Sequence, residues 1–196
     1  HNRCRRQRQM CIRDRWGNMI AGTPSGGWLQ SSPIIPNLGF CLSNRGQMFW
    51  LDENSPACIG PKRRPRTTLS PSLALKDGLP YMVFGTPGGD QQDQWSLHLF
   101  LRHVHFGLNL QEAIDAPGFS TAHFPNSFYP RETDIGHLAV EGRFPKETID
   151  ELIKKGHKVI IDDDWSLGRM TAASKDNEIL KAAANPRFMQ GYAIGR

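Results

Sequence analysis

The residues best placed to do chemistry are Val83-Phe84-Gly85-Thr86-Pro87-Gly88-Gly89-Asp90. Val83 and Phe84 read as the end of a buried strand, Pro87-Gly88-Gly89 as a tight turn, and Asp90 as the cap of a following helix. Two glycines let backbone N–H groups face a small space with no Cβ in the way. Beside a helix N-terminus those donors favour negative charge. The same arrangement, aimed at a developing oxyanion, serves acyl transfer. A phosphate loop would continue with Lys and Ser or Thr, whereas Gln91-Gln92 stand here.

Other reactive residue types lack a matching pattern. His98, His103 and His105 miss the three- or four-residue spacing of helical metal pairs. They read as packed or surface side chains. Asp162-Asp163-Asp164 lacks the glycine and distant glutamate of a calcium loop and reads as a solvated turn. His157, after Gly156, reads as structural. No cysteine pair has C-x-x-C spacing, so no zinc site is expected. Cys41 and Cys58 read as free thiols, a disulfide being the alternative. Trp28, Phe49 and Trp50 line a pocket or pack.

The elements that position the turn follow from periodicity. A strand is expected over 17–23, entering a Pro24-Ser25-Gly26-Gly27 loop. Segments 38–42 and 47–51 read as a hairpin around Asn44-Arg45-Gly46, and 54–66 as an exposed Pro-rich loop. Strands 68–76 and 79–85 pair across Asp77-Gly78. A helix over 90–106 gathers Leu97, Phe100, Leu101, Val104 and Leu108 on one apolar face. A second helix spans 110–115 and ends before Pro117. A third spans 145–155, with Pro145 in its first turn and Gly156 as its stop. A buried strand follows at 158–161, and 168–174 with 178–183 close a hairpin. This order predicts an α+β fold with two stacked, mainly antiparallel sheets.

The 196 residues suffice for one domain with a core. Charge separates the chain in two. Residues 1–15 carry six arginines against Asp14; the other residues hold 18 basic and 18 acidic side chains, so the body is neutral. A basic nucleic-acid footprint is therefore confined to the tail, and no nucleic-acid partner is expected. No apolar run suits a membrane span, and no signal-peptide pattern is present, which leaves cytoplasm and periplasm both open. Residues 1–13 are Arg-rich and aperiodic. They read as a non-native tail, in the manner of translated adaptor read-through, without packed contacts; 14–196 reads as the domain.

Five segments, in order, then carry a resemblance. Asp14-Arg15-Trp16-Gly17-Asn18 resembles the D-x-x-G-N turn of the gamma-glutamyltransferase (gamma-glutamyltranspeptidase) family. Arg63-Arg64-Pro65-Arg66-Thr67-Thr68-Leu69-Ser70-Pro71 resembles its K-R-P-x-S-S-M-S-P segment, and Gly85-Thr86-Pro87-Gly88-Gly89 its G-S-P-G-G. Asn109-Leu110-Gln111-Glu112-Ala113-Ile114-Asp115-Ala116-Pro117 resembles N-x-x-E-A-x-x-A-P, and Gly156-His157-Lys158-Val159 resembles G-H-x-V.

The resemblance implies an N-terminal nucleophile hydrolase with an αββα sandwich, self-cleaved into large and small subunits, this chain being similar to the small one. It implies a small-molecule gamma-glutamyl or acyl-amide substrate, the large subunit as partner, and no cofactor or metal. The nucleophile is an N-terminal Thr whose own amine is the base. By the same likeness Gly88 and Gly89 are oxyanion donors, and Ser25 supports the nucleophile. Thr67 and Thr68 meet a substrate carboxylate. Arg45 and Met48 fall where family members hold a substrate ammonium with Gln and Asp, and Gly27 replaces a polar contact. The nucleophile position falls on Gln7, and residues 1–22 contain no Ser or Thr. The parent is therefore expected to be an enzyme of divergent substrate choice, and the fragment inactive. The alternative is a non-catalytic binding or assembly module of the same fold.

Overall fold

The computed structural model describes residues 10–25, 32–189 and 191–195. Cys4, Gln7, Gly26, Gly27 and Trp28, on which parts of the sequence reading rest, lie outside them.

The Asp77-Gly78 signal organises the main sheet. Both residues take positive φ, 53° and 76°, the primed turn that joins β3 (Ser72–Lys76) to β4 (Leu79–Gly85) antiparallel. β4 then pairs with β8 (Thr171–Asp176), and β8 with β9 (Ile179–Ala184), giving the antiparallel order β3-β4-β8-β9.

Alternation along β4 sends Met82 and Phe84 to one face. There they meet Leu99, Leu110, Ala113, Ile114, Met170, Ala172 and Ala183 in the larger core. The helices on that face are α1 (Gln92–Val104) and α2 (Leu110–Asp115). Asn109 starts α2 with a reciprocal capping box to Glu112.

A second sheet holds β5 (Phe119–Thr121), β6 (His137–Glu141) and β7 (Lys158–Asp162). α3 (Lys146–Lys154) crosses between β6 and β7 and places Ile149 against Leu138 and Val140. That crossover makes β6 and β7 parallel, a departure from the expected mainly antiparallel pattern. The sequence reading missed β5 and β6. It also expected 158–161 to be buried, yet Ile160 and Ile161 are exposed because β7 is an edge strand. α1 docks on the β5 edge through side chains. The Gln94 amide accepts from Thr121 N–H at 2.8 Å and donates to Thr121 C=O at 3.0 Å, as a neighbouring strand would.

Three further expectations are corrected. Met10–Arg13 is not unpacked tail. It forms β1, pairs antiparallel with β2 (Met19–Gly22), and both pack against β4. Ladder bonds use only backbone, so an irregular sequence can still form a strand. The Asp14 carboxylate closes the connecting turn, accepting from Trp16 N–H, Asn18 N–H and the Asn18 amide. These bonds, that from the Asn18 side chain foremost, hold its pKa below the usual value. Segment 45–48 is a 3₁₀ turn (Arg45–Met48) rather than a hairpin tip. The expected apolar face of α1 holds only in part: Phe100 and Leu108 pack against the larger core, Leu97 and Val104 are exposed, and the fully buried residues are Gln92, Ser96 and Leu99.

Candidate functional site

Between β4 and α1 the chain turns through Thr86-Pro87-Gly88-Gly89. Thr86 is fully buried and ties the turn down: its hydroxyl donates to Pro87 C=O at 2.7 Å and accepts from Arg169 N–H at 3.1 Å. Gly88 has φ 148° and Gly89 φ 64°, both in the region that favours glycine. At Gly88 space is limiting as well. A Cβ there would sit 2.2 Å from Cζ3 of Trp95. The indole is fixed by its N–H donating to Phe119 C=O at 3.1 Å and lies against Gly168. Trp95 is thus a wall of the turn that the sequence reading missed.

A 3₁₀ turn (Gly89–Gln91) leads straight into α1. The first N–H groups of such an end have no acceptor within the helix. They can donate to an oxygen that gains charge during reaction.

Asp90 does not cap this helix. Its carboxylate accepts from Ser127 N–H at 2.8 Å and, through a short bond, from the Ser127 hydroxyl, and it pairs with Arg66 at 3.5 Å. A loop centred on Ser127, far off in sequence, is thereby held beside the turn.

Arg66 brings the Thr67-Thr68 segment to the same place, helped by a Ser70 hydroxyl to Gln92 contact at 3.4 Å. Thr68 is buried, with its Oγ1 unpaired among the described residues. Thr67 is exposed, and its hydroxyl accepts from Leu69 N–H at 3.1 Å. Ser25 meets Arg45, whose Nη2 donates to its Oγ at 2.6 Å. The Arg45 guanidinium lies 5.7 Å from the Phe128 ring, and Phe128 follows Ser127. Among the described contacts Ser25 and Arg45 therefore reach the Gly88-Gly89 turn through this relay, not directly. Met48 is buried and offers no charge.

The histidines have structural surroundings. His103 contacts the Tyr81 hydroxyl at 2.8 Å and Leu108 C=O at 2.7 Å. His98 stacks on Phe119 at 3.9 Å. Cys41 and Cys58 are free thiols.

Burial, with nearby Arg102 adding to it, pushes the His98 imidazole down to about 4. The folded state therefore binds fewer protons than the unfolded state between about pH 6.5 and pH 4. The associated stability is complete above pH 6.5 and is lost as pH falls through that window. Urea unfolding at pH 7 and pH 5 should show a loss on the order of 2 kcal/mol from this group. His98→Phe, which keeps the stack, should remove that part of the loss. An unchanged loss in the variant would refute the assignment.

Away from the turn, a cavity of about 20 Å³ lies among Trp95, His98, Arg102 and Arg187. It is room for about one water. It adjoins a charged network that nothing in the sequence announced. Glu141, fully buried, accepts from Arg187 at 2.7 and 2.9 Å, from Arg143 at 2.5 Å, and from Gly118 and Leu167 N–H groups at 2.9 Å each. Burial alone would raise its pKa. The Arg187 bonds, with those from Gly118, Arg143 and Leu167, outweigh this and hold it at about 2.

Comparison with known proteins fits this architecture. The chain matches the family model described as gamma-glutamyltranspeptidase over residues 7–195, a match that starts upstream of Asp14. It is 35% identical to the glutathione hydrolase-like YwrD proenzyme of Bacillus subtilis, over 84% of this chain and 31% of that protein. It is 34% identical to the oxamate amidohydrolase proenzyme of Klebsiella pneumoniae, over 84% of this chain and 30% of that protein. The chain thus spans less than a third of these curated relatives. The solved structure of LmbA2991HD superposes with TM-score 0.87 at 55% identity, covering 96% of this chain and 34% of that one. A gamma-glutamyltranspeptidase from Pseudomonas nitroreducens shares the fold with TM-score 0.74 at 22% identity, covering 96% and 97%. A match across nearly the whole sequence, on a mixed helix-and-sheet fold that these solved structures share, leads to one assignment: the chain belongs to the gamma-glutamyltranspeptidase family.

Proposed function

We propose that this chain is the small-subunit part of a precursor that cleaves gamma-glutamyl or related acyl-amide bonds. The Gly88-Gly89 turn carries the proposal. Its backbone needs glycine, Trp95 and Thr86 fix it, and its N–H groups open a helix end. In this reading Gly88 and Gly89 stabilise the tetrahedral oxyanion. An N-terminal Thr attacks the amide carbonyl, with its own amine as base. Ser25 supports that nucleophile, and Thr67 and Thr68 contact the acyl donor.

The large subunit completes an αββα sandwich and covers surfaces that this chain leaves open. Leu97 and Val104 on α1, and Ile160 and Ile161 on β7, are the apolar candidates.

The test uses the full-length precursor carrying a threonine nucleophile. It should split into two chains and then release nitroaniline from a gamma-glutamyl or simple acyl anilide. The 196-residue chain by itself should release none. A folded, threonine-bearing precursor that turns over no amide would favour the non-catalytic module. Turnover by the fragment that survives mutation of Cys4 and Cys11 would refute the missing-nucleophile argument.

A further inference from the structure

The cavity beside Trp95 is lined by cations and by no carboxylate. Arg102 and Arg187 face it, together with His98, Asn185 and the indole. Glu141 is not in the lining. Its oxygens are taken up by Arg187, Arg143 and the N–H groups of Gly118 and Leu167. Arg187 is buried and Arg143 nearly so, which leaves little water to screen them. Three guanidiniums therefore share one carboxylate, and two positive charges are left over.

Backbone carbonyls do not make up the difference. Arg102 donates to Ala113, Ala116 and Pro117 at 3.4, 3.4 and 2.6 Å, Arg143 to Asp115 at 2.7 Å, and Arg187 to Ile114 and Ala116 at 2.8 and 3.1 Å. All belong to the C-terminal end of α2 or lie just past it. Such an end carries at most about half a negative charge, against the two in excess. Arg102 pairs with no acid among the described residues, and two of its three carbonyl contacts are long. Burial lowers its pKa, Arg187 and Arg143 lower it further, and Glu141 opposes them.

His98 adds an open valence. Its Nδ1 is buried with no partner among the described residues, and in the tautomer that carries hydrogen there it is a donor. Cations withdrawn from water are unfavourable unless something pairs with them. The volume, about 20 Å³, sets the size of that partner. It suits one water or an ion little larger, and is too small for a carboxylate, sulfate or phosphate.

We propose that this cavity binds a single halide ion, chloride being the one a cell supplies. Arg102 and His98 hold it. The ion offsets part of the excess charge where α2, β6 and the segment after β9 meet, and it braces the indole that walls Gly88.

Bromide is the probe, since it fits nearly where chloride fits and scatters anomalously. Crystals of the full 196-residue chain soaked in sodium bromide should show an anomalous peak between Arg102, His98 and Trp95. Melting in potassium bromide or chloride, against potassium gluconate at equal ionic strength, gives a second readout, because gluconate is too large to enter. A hundredfold excess of halide over its Kd should raise Tm by roughly 5–11 °C. Arg102→Gln should abolish that rise, and Arg102→Lys should keep part of it. A cavity that holds only water in bromide overturns the proposal, as does equal melting in halide and gluconate. A rise that survives Arg102→Gln unchanged places the ion elsewhere and overturns it too. If Arg102→Gln does not fold, the anomalous map of the parent decides.

Discussion

Glu141→Gln should lower the melting temperature of the folded protein by roughly 6–20 °C. The figure follows from the 3–5 kcal/mol cost of removing one partner from a buried ion pair and the 2–4 °C per kcal/mol typical of this chain length. Two cations, Arg187 and Arg143, end on this one carboxylate, and Arg187 is itself buried. Their neighbours cannot compensate. The remaining Arg187 contacts are the carbonyls of Ile114 and Ala116, and Trp165 lies over both guanidiniums. The amide of Gln offers one acceptor oxygen where five donors converge, and adds N–H donors that face others. The network joins the end of α2, strand β6, the Leu167 loop and the segment after β9, so its loss loosens both sheets together.

The pH dependence has a definite sign. With its folded pKa held at about 2, Glu141 contributes stability that is complete above its ordinary value of 4.5 and is lost as pH falls toward 2. That window lies below the one set by His98, so the two can be separated in one titration. Thermal melts of the parent and of Glu141→Gln at pH 7 and pH 3 test this. The gap between them should narrow at pH 3. A variant that melts within about 2 °C of the parent at pH 7 would show the pair to be dispensable.

What the sequence disclosed depended on how local the determining physics was. Helices α2 and α3 were readable because their stops lie within a few residues, as Pro117 and Gly156 show. The β3–β4 hairpin was readable from Asp77-Gly78 alone. β6 was not, because it reads His-Leu-Ala-Val-Glu with no alternation; its last residue is a charge whose burial depends on Arg187, 46 positions away. The face of α1 was misjudged in part for a related reason. Small or polar Gln92 and Ser96 pack inward beside Leu99, while Leu97 and Val104 are exposed.

At the site the glycine turn was legible, since only Gly tolerates such backbone. The parts that fix it, Trp95, Ser127 and Arg169, act across folded distance and left no pattern. Asp90 was noticed, but a carboxylate after a turn can cap a helix or hold a loop, and sequence does not choose between them. Met10–Arg13 was dismissed on composition, although strand pairing asks only for backbone and a turn.

Gly88→Ala should cost the threonine-bearing, processed enzyme about 10²–10³ in kcat, the usual price of one lost oxyanion donor. The expectation rests on space as much as on φ. The added methyl would meet the Trp95 ring at 2.2 Å, and the ring cannot swing aside without breaking its bond to Phe119 and its packing on Gly168. The backbone must move instead, and in the proposed function that backbone carries the donor. Gly89→Ala provides the contrast. Nothing lies within 4 Å of a Cβ there, so its penalty is that of a left-handed alanine, about 1–2 kcal/mol. Gly89→Ala should therefore lose stability with a smaller fall in kcat. KM should change little in either variant if the turn acts chiefly in the transition state. Removing the obstruction should then restore part of the rate: Gly88→Ala combined with Trp95→Leu should exceed Gly88→Ala in kcat, although Trp95→Leu by itself lowers it. Such coupling is the signature of two groups in contact. Equal kcat for Gly88→Ala and the parent would remove the turn from the chemistry. A double variant no faster than Gly88→Ala would show that φ, not the indole, sets the requirement for glycine.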